Sequence, residues 1–350
     1  MIEYIFLTLV IVLIGVLLFS YKYNESYSHI ELDRCYPPVS IEFLKRYKDH
    51  KDIYKLFDVE YIVNSLPGID KAISCSLFCK DVNIHRESES HSPDMSENGK
   101  WYKKYMKPFI ENMLDKFPET EFYKNGWKMR LYLANDLAGK YIDMFSKYKY
   151  LEIYVMRSSS IGAVPGTLWR YLSYGDQTLD MVLVMDIDSP PIDDIYKSFK
   201  EFNKYPNHLM FKLDYGSPDV IGKDTDAVNN AVILGQRHFV RPRLLGLGDI
   251  KEIMGAFITY RSRASNQFYG ENDRENVCNK PYEKHIYGWG NHYLMYCFDE
   301  RFLKHVIFYY IVEKGGMVSL YDKKTLDEYP EEYNYAMKTN PNNVYIDQSV

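Results

Sequence analysis

Short apolar segments alternate with helix-like segments between residues 71 and 202, and no other feature of this chain constrains its fold as strongly. The apolar segments are rich in residues typical of strands, whereas the segments between them repeat apolar residues at helical spacing. Such alternation forms βαβ units, so the sequence predicts an α/β domain: a Rossmann-like, mainly parallel sheet flanked by helices. The predicted strands are 71–79, 127–136, 151–157 and 181–186, and the predicted helices are 101–117, 138–148, 166–174 and 192–202.

Composition and short motifs weigh against several classes of function. The 350 residues are enough for a large core, and a net charge of −5 gives no electrostatic reason to expect a nucleic-acid partner. The five cysteines form no CxxC pair, which argues against a disulfide framework or a thiolate metal cluster. There is no GxGxxG after the first predicted strand, no P-loop motif and no GxSxG, so dinucleotide-binding, P-loop and α/β-hydrolase functions lose their main support.

The N-terminal region contains an apolar segment of about the length needed to cross a membrane. Residues 5–19 (IFLTLVIVLIGVLLF) carry no charge, and with the interfacial residues beside them they reach the roughly 18–20 residues that span a bilayer. We predict a single-pass transmembrane anchor at 1–21 and not a cleaved signal peptide, because Glu3 stands where a basic region is usual. The side of the membrane on which the large domain lies stays open.

The remainder of the chain divides into three predicted parts. Residues 22–65 are polar, include a predicted helix at 40–56, and are expected to form a stalk. The alternating strands and helices place the main domain at 66–325. Residues 326–350 are expected to form a C-terminal tail.

Two aspartates, Asp186 and Asp188, follow directly after an apolar strand, and this position admits two interpretations. Asp188 or Ser189 could cap the next helix, whose first turn would contain proline. Alternatively, both carboxylates lie at the carboxyl end of a parallel strand, where ligands bind in open α/β sheets. A second Asp-x-Asp, Asp224 to Asp226, lies in a loop-like segment, so the triplet by itself is not diagnostic.

The binding-site interpretation implies a specific chemistry. A hard divalent cation such as Mn²⁺ or Mg²⁺ prefers carboxylate oxygens and keeps coordination positions open for phosphate oxygens. Held by Asp186 and Asp188, such an ion would neutralise the diphosphate that leaves when a sugar is transferred from a nucleotide sugar. The two interpretations are compatible, because a helix that starts beside a metal also favours phosphate.

A basic segment, residues 235–243 (GQRHFVRPR), groups three arginines around an aromatic residue. Forked guanidinium contacts could clamp a diphosphate or bind an anionic membrane or acceptor. A plain surface loop is the simpler interpretation, and we take it as the expectation.

Five segments fit one family pattern. They are Ser76-Leu77-Phe78, Trp127 to Tyr132, Trp169-Arg170-Tyr171-Leu172, Asp186-Ile187-Asp188-Ser189 and Asp299-Glu300-Arg301-Phe302-Leu303. Together they resemble a family of GT-A-fold, glycosyltransferase-like proteins with members in large DNA viruses, algae and some animals. The resemblance covers roughly residues 70–305, and its most specific part is the block that runs from Trp-Arg to Asp-x-Asp-Ser. Met185 departs from the pattern, because the family usually has Arg before the first Asp.

The resemblance implies a GT-A-like nucleotide-diphospho-sugar transferase fold and a role for each matched residue. The implied donor-binding residues are Ser76, Leu77, Phe78, Arg170 and Asp186, the implied metal ligands are Asp186 and Asp188, and the implied catalytic residues are Asp299 and Glu300. We add Arg157, which ends the third predicted strand, to the donor-binding residues. Asp299 or Glu300 would be the general base of an inverting enzyme or a positioning group in a retaining one. Trp169 and Tyr171 are expected to pack and not to stack on a sugar.

The sequence therefore predicts a metal-dependent glycosyltransferase that moves a sugar from a nucleotide-sugar donor to a glycan or protein acceptor. One alternative is a haloacid-dehalogenase-like phosphatase, whose site also begins with an apolar strand and Asp-x-Asp. That class usually has Thr or Val where Ser189 stands, which counts against it. The other alternative is a catalytically inactive transferase scaffold that binds glycans.

Overall fold

A nine-stranded sheet forms the centre of the protein. The structure, a computed structural model, describes residues 39–47, 51–78, 97, 99, 102–157, 164–187, 193–213, 237–268, 299, 302–321 and 338–347. The strands are β1 Val59–Val63, β2 Lys71–Leu77, β3 Lys128–Ala134, β4 Leu151–Met156, β5 Met181–Met185, β6 Met210–Leu213, β7 Arg237–Val240, β8 Met317–Tyr321 and β9 Val344–Asp347. Their spatial order is β1-β4-β3-β2-β5-β7-β6-β8-β9.

Helical segments of three kinds accompany the sheet. The α-helices are α1 Ile41–Arg46, α2 Lys51–Tyr54, α3 Glu121–Lys124, α4 Asn135–Ser146, α5 Val164–Leu168, α6 Asp193–Phe202, α7 Pro242–Leu245, α8 Ile250–Phe268 and α9 Tyr309–Lys314. The 3₁₀ helices are Lys55–Phe57, Phe117–Glu119 and Trp169–Gly175, and the π-helical segments are Tyr102–Met106, Phe109–Leu114 and Leu303–Phe308. The predicted helix at 166–174 is thus divided between α5 and the 3₁₀ helix Trp169–Gly175.

The sheet confirms the predicted α/β class and adds an antiparallel strand to it. The four predicted strands are β2 to β5, each shortened at one or both ends, and they run parallel to one another. β6, β8 and β9 form a second parallel group, and β7 runs antiparallel between β5 and β6. β1 pairs antiparallel with β4 at the edge. The sheet is therefore mixed, and β7 was expected to be a loop.

The order of the parallel strands creates a switch point between β2 and β5. The chain passes from β2 outward through β3 to β4, then returns to add β5 on the other side of β2. Connections on the two sides therefore diverge above the carboxyl ends of β2 and β5. In open α/β sheets this divergence leaves the crevice in which ligands bind.

Side chains of β2 alternate between two buried environments. Cys75 and Leu77 belong to the apolar core on one face, whereas Ser74 and Ser76 point to the opposite face. The Ser74 hydroxyl donates to the carbonyl of Arg170 at 2.7 Å, so the second face is the one covered by the 3₁₀ helix Trp169–Gly175. The polar face of β2 is thus attached to the segment that carries the predicted donor-binding arginine.

A buried ionic network joins β3 to β4 on that same face. Glu152 accepts from Lys128 Nζ at 3.3 Å and from Arg130 Nε at 2.8 Å. Arg130 Nη1 also donates to Asp176 at 2.6 Å, and its guanidinium lies 4.6 Å from the Tyr154 ring centroid. Each of the two buried cations therefore depends on Glu152 for a compensating charge.

The described residues of the predicted stalk and tail pack against the main domain. Ile41 and Leu44 of α1 are buried in the common core, and β1 is a strand of the sheet although it lies within 22–65. The ring of Tyr54 lies so close to α8 that a Cβ on Gly255 would come within 2.1 Å of it. β9 pairs with β8 although it lies within 326–350. Burial of apolar side chains explains this packing. The overall polar composition of these segments does not indicate that burial.

The predicted anchor at residues 1–21 lies outside the described residues. In the part of the chain that the structure describes, no helix is both long enough and apolar enough to cross a bilayer.

Substitution of Glu152 tests the ionic network. Glu152→Gln should lower the free energy of unfolding by about 3–5 kcal/mol, because it leaves two buried cations without their shared carboxylate. Urea unfolding followed by circular dichroism measures this loss. Glu111→Gln, which breaks an exposed pair with Lys107, is the matched control and should cost less than about 1 kcal/mol. Equal losses in the two variants would contradict the assigned role of Glu152.

Candidate functional site

The candidate site lies at the switch point, where the ends of β2 and β5 are adjacent. Ser74 pairs with Val184 in the parallel register, which places Ser76 level with Asp186, the first residue after β5. Carboxyl ends of parallel strands meet at one edge of a sheet, so these two polar side chains border the same crevice. Ser76 and Asp186 thus share one position in the fold, and their donor-binding roles stay predictions.

Arg170 brings two predicted carboxylates together. Its Nη1 donates to Asp186 Oδ1, and its Nη2 donates to Asp299 Oδ2 at 2.5 Å. The backbone of Arg170 is fixed as well, because the hydroxyls of Ser74 and Ser173 each donate to its carbonyl at 2.7 Å. Residues from β2, the 3₁₀ helix, the segment after β5 and the helical region near residue 299 therefore meet at one arginine.

The guanidinium of Arg170 stays charged in this buried position. Burial disfavours its charged form, but neighbouring Tyr171 and Asp299 outweigh burial and raise the pKa of Arg170 above its ordinary value. The ring of Tyr171 lies 5.3 Å from the guanidinium carbon. The site thus contains a permanent positive charge between two carboxylates.

Two buried polar atoms at this site lack partners among the described residues. They are Ser76 Oγ and Arg170 Nε. Buried polar groups are nearly always hydrogen-bonded, so these two atoms beside the carboxyl ends of β2 and β5 are candidates for contact with a ligand. Phosphate oxygens or sugar hydroxyls would satisfy both.

Aromatic side chains form one wall beside β2. Phe78, which follows β2, packs edge-to-face on Trp169 with ring centroids 6.2 Å apart. A Cβ on Gly166 would lie 2.4 Å from the Phe78 ring, so only glycine allows this approach. Trp169 and Tyr171 are buried, which confirms that they pack in the interior.

The remaining predicted residues are not all brought to the crevice. Leu77 lies in the core on the opposite face of β2, so its side chain does not reach the site. Arg157 follows β4, which lies two strands from β2, and its side chain is exposed. Asp188 and Glu300 lie outside the described residues, so their roles stay predictions.

The expectation of a surface loop at 235–243 is wrong for its described part. Arg237–Val240 is β7, and His238 is buried beside Tyr171, with ring centroids 6.1 Å apart. Arg241 lies over the Phe202 ring at 4.6 Å and is also buried, and exposed Arg243 donates to the carbonyls of two residues before β5. These cations serve packing, so the diphosphate-clamp alternative gains no support from them.

His238, which the sequence analysis placed in a surface loop, is buried and lies near Arg170. Its Nε2 shares a hydrogen bond with the Tyr174 hydroxyl. Burial, with a further contribution from the Arg170 charge, lowers the pKa of His238 to about 3, so the imidazole is neutral. The neighbouring aromatic and β-branched residues Phe239 and Val240, which favour strands, were the signal that could have identified this strand.

One of the two predicted metal ligands, Asp186, lies among the described residues and has a suitable oxygen. Among the described residues, no group of three or more His, Cys, Asp or Glu side chains is arranged to hold a metal ion. The Asp186 side chain is 31% exposed and has one oxygen on Arg170, and carboxylate oxygen is the donor that Mn²⁺ and Mg²⁺ prefer. The metal site as a whole stays a prediction, since it also requires Asp188.

Comparisons with known proteins identify no family for the chain. No family model and no curated protein matches it. Among solved structures it is similar to S. aureus TarS 1-349, with a TM-score of 0.31 and 12% identity over 54% of each chain. The complex of that protein with UDP-GlcNAc gives a TM-score of 0.30 and 12% identity over 54% of this chain and 53% of the other.

A second kind of structure is also similar. The 4-diphosphocytidyl-2C-methyl-D-erythritolsynthase from Anaerococcus prevotii gives a TM-score of 0.29 and 14% identity over 59% of this chain and 79% of the other. The matches with TarS 1-349 span about half of the length of that protein. TM-scores near 0.3 do not show a common fold, so the function is inferred from the geometry of the site.

The neutral state of His238 predicts how stability depends on pH. Histidine in an unfolded chain has a pKa of about 6.5, so between about pH 6.5 and pH 3 the unfolded chain binds a proton that folded His238 does not. The contribution of His238 to the free energy of unfolding should therefore fall as the pH is lowered below about 6.5, by up to about 1.4 kcal/mol per pH unit. His238→Gln should reduce this slope in urea unfolding between neutral and mildly acidic pH.

Tyr174→Phe is the control for this measurement. It removes the hydroxyl bonded to His238 and keeps the imidazole, so the pH slope should persist. Identical slopes for the wild type and His238→Gln would contradict the prediction.

Proposed function

We propose that the protein is a glycosyltransferase that takes a sugar from a nucleotide-diphosphate donor and transfers it to a glycan or protein acceptor. The observation that carries the proposal is the position of Arg170, which lies between Asp186 and Asp299 at the switch point of the sheet. The Ser76 hydroxyl, which is buried without a partner among the described residues, lies at the same end of the neighbouring strand β2. This set combines a fixed positive charge for a diphosphate with carboxylates on the side of the sheet where ligands bind.

Each described residue has a role suited to its position. Phe78 and Ser76 at the end of β2 would flank the nucleoside, with the ring giving an apolar surface and the hydroxyl a hydrogen bond. Arg170 would donate N–H groups to the diphosphate, for which its planar, forked guanidinium is well suited. Bonds that strengthen as charge develops on the leaving diphosphate would lower the barrier to sugar transfer.

Asp186, together with Asp188, would hold Mn²⁺ or Mg²⁺. When bound, the ion would supply further charge neutralisation at the leaving diphosphate. Asp186 is also positioned to orient Arg170, because one of its oxygens accepts from that guanidinium. Residues 5–19 would attach the enzyme to a membrane, and this part of the proposal rests on the sequence alone.

The two alternatives receive less support. A phosphatase of the haloacid-dehalogenase type would use Asp186 as a nucleophile, yet Asp186 Oδ1 accepts a hydrogen bond from the Arg170 guanidinium. An inactive scaffold would not need buried polar atoms without partners beside the carboxyl ends of β2 and β5. Both alternatives give distinct results in the experiment below.

A thermal-shift panel tests the proposed function. UDP-glucose, UDP-GlcNAc, UDP-galactose and GDP-mannose, each with and without Mn²⁺, are added to the protein. At about 100 times its Kd the true donor should stabilise the folded state by about 2.7 kcal/mol, which raises the midpoint of unfolding. The increase should require Mn²⁺ and should disappear in Asp186→Asn.

Asp143→Asn, an exposed aspartate on α4, is the matched control and should keep the full response. No response to any sugar nucleotide, with or without Mn²⁺, would favour the scaffold. Phosphatase activity with an aspartyl-phosphate trapped on Asp186 would favour the phosphatase.

A further inference from the structure

We propose that Asp299 is a positioning residue that holds Arg170 for the donor diphosphate, and that it is not the general base of the transfer reaction. This assignment rests on the proposed function, because it concerns how the same site binds its donor. The two carboxylates then have different roles, since Asp186 is exchanged for the ligand and Asp299 is retained.

The contact geometry commits Asp299 to Arg170. Its Oδ2 accepts from Nη2 at 2.5 Å, and both side chains are largely buried, with exposed fractions of 12% for Asp299 and 8% for Arg170. Hydrogen bonds between ionised partners are shorter and roughly twice as strong as neutral ones. A general base needs an oxygen within reach of the acceptor hydroxyl, but Oδ2 is engaged by the guanidinium and the Asp299 side chain is only 12% exposed, so little of its carboxylate is accessible.

The two partners of Arg170 differ in their access to solvent. The Asp186 side chain is 31% exposed, whereas that of Asp299 is the more buried of the two. A diphosphate that enters the crevice therefore meets the Asp186 side of the guanidinium first. Phosphate oxygens can replace Asp186 on Nη1, and the freed carboxylate is then available to a cation.

Arg170 needs a second anchor during this exchange. A buried charge must remain paired, and its backbone is already fixed through the hydroxyls of Ser74 and Ser173. Asp299 supplies the pairing from the opposite side, so that the planar guanidinium keeps its orientation while its partner on Nη1 changes. Nε lies in the plane of the guanidinium, so its N–H group also keeps its direction. This nitrogen has no partner among the described residues.

Without Asp299, Asp186 is the one carboxylate among the described residues that still pairs with the guanidinium. Asp186 competes with the diphosphate for that guanidinium. The guanidinium would then remain with Asp186 and would be withheld from the ligand. Loss of Asp299 should for this reason weaken donor binding more than it slows the chemical step. A general base would show the opposite pattern, since its removal affects the chemical step and leaves binding nearly intact.

Isothermal titration with UDP and with GDP, each in the presence of Mn²⁺, tests the proposal on the full chain. Asp299→Asn should weaken binding of the preferred diphosphate about tenfold, which corresponds to about 1.4 kcal/mol. In an Arg170→Lys background the same substitution should change the Kd by less than about twofold, because the two residues act as a unit. Kinetics of sugar release from the matching nucleotide sugar should show a raised KM with little change in kcat.

Asp176→Asn is the matched control. It breaks an ion pair with another buried arginine, Arg130, which pairs in register with Ser74, one level from Ser76 and Asp186. This variant should lose stability and keep the wild-type Kd for UDP or GDP. A change of Kd in the control as large as that in Asp299→Asn would overturn the proposal.

Other outcomes separate the proposal from the proposed function. An unchanged Kd in Asp299→Asn, with kcat reduced by about 10²–10⁴, would make Asp299 the general base and leave the transferase function intact. A wild type that binds neither diphosphate would overturn both. Should Asp299→Asn fail to fold, Arg170→Lys alone must weaken binding about tenfold, and an unchanged Kd there would also overturn the proposal.

Discussion

The buried charge of Arg170 is the interaction on which the candidate site depends. A guanidinium with an 8% exposed side chain persists inside a protein only if opposite charges and hydrogen bonds compensate for the water it has lost. Here the compensation comes from Asp186 and Asp299, while hydroxyls from β2 and the 3₁₀ helix fix its backbone. Pairing one charge thereby ties four separate parts of the chain to the switch point of the sheet.

A second ionic pair, between Arg130 and Glu152, lies on the same face of the sheet and is more deeply buried than the pair between Arg170 and Asp186. Glu152 is almost completely buried and has both oxygens occupied by protein donors, so its carboxylate is committed to Lys128, Arg130 and the backbone. Asp186 ends its strand at the edge of the sheet and remains partly exposed. Strand register puts Arg130 level with Ser74, and it puts Ser76 level with Asp186. A short distance along the sheet therefore separates the buried Glu152 network from the partly exposed Asp186.

The outcome of the sequence analysis differs between local and long-range features. Hydrophobic periodicity depends on neighbouring residues, and it predicted β2 to β5 with small errors at their ends. The prediction for 235–243 failed because its cations suggested solvent, whereas Arg241 lies on an aromatic ring and His238 is neutral and bonded to Tyr174. The side chain of Leu77 was expected at the site with that of Ser76, but neighbouring residues of a strand point to opposite faces.

The sequence by itself determined the alternation of strands and helices from β2 to α6 and the presence of a carboxylate after β5, because both follow from patterns within short segments. It also singled out Arg170 and Asp299 as residues of interest through a family resemblance. Only the tertiary structure decided that these two side chains share an ion pair. Contacts between residues distant in sequence depend on strand order and on the packing of connections over the sheet, and no local pattern encodes either of them. For the same reason the tertiary structure alone supports a positioning role for Asp299, which its residue type and its place near a helix could not distinguish from that of a base.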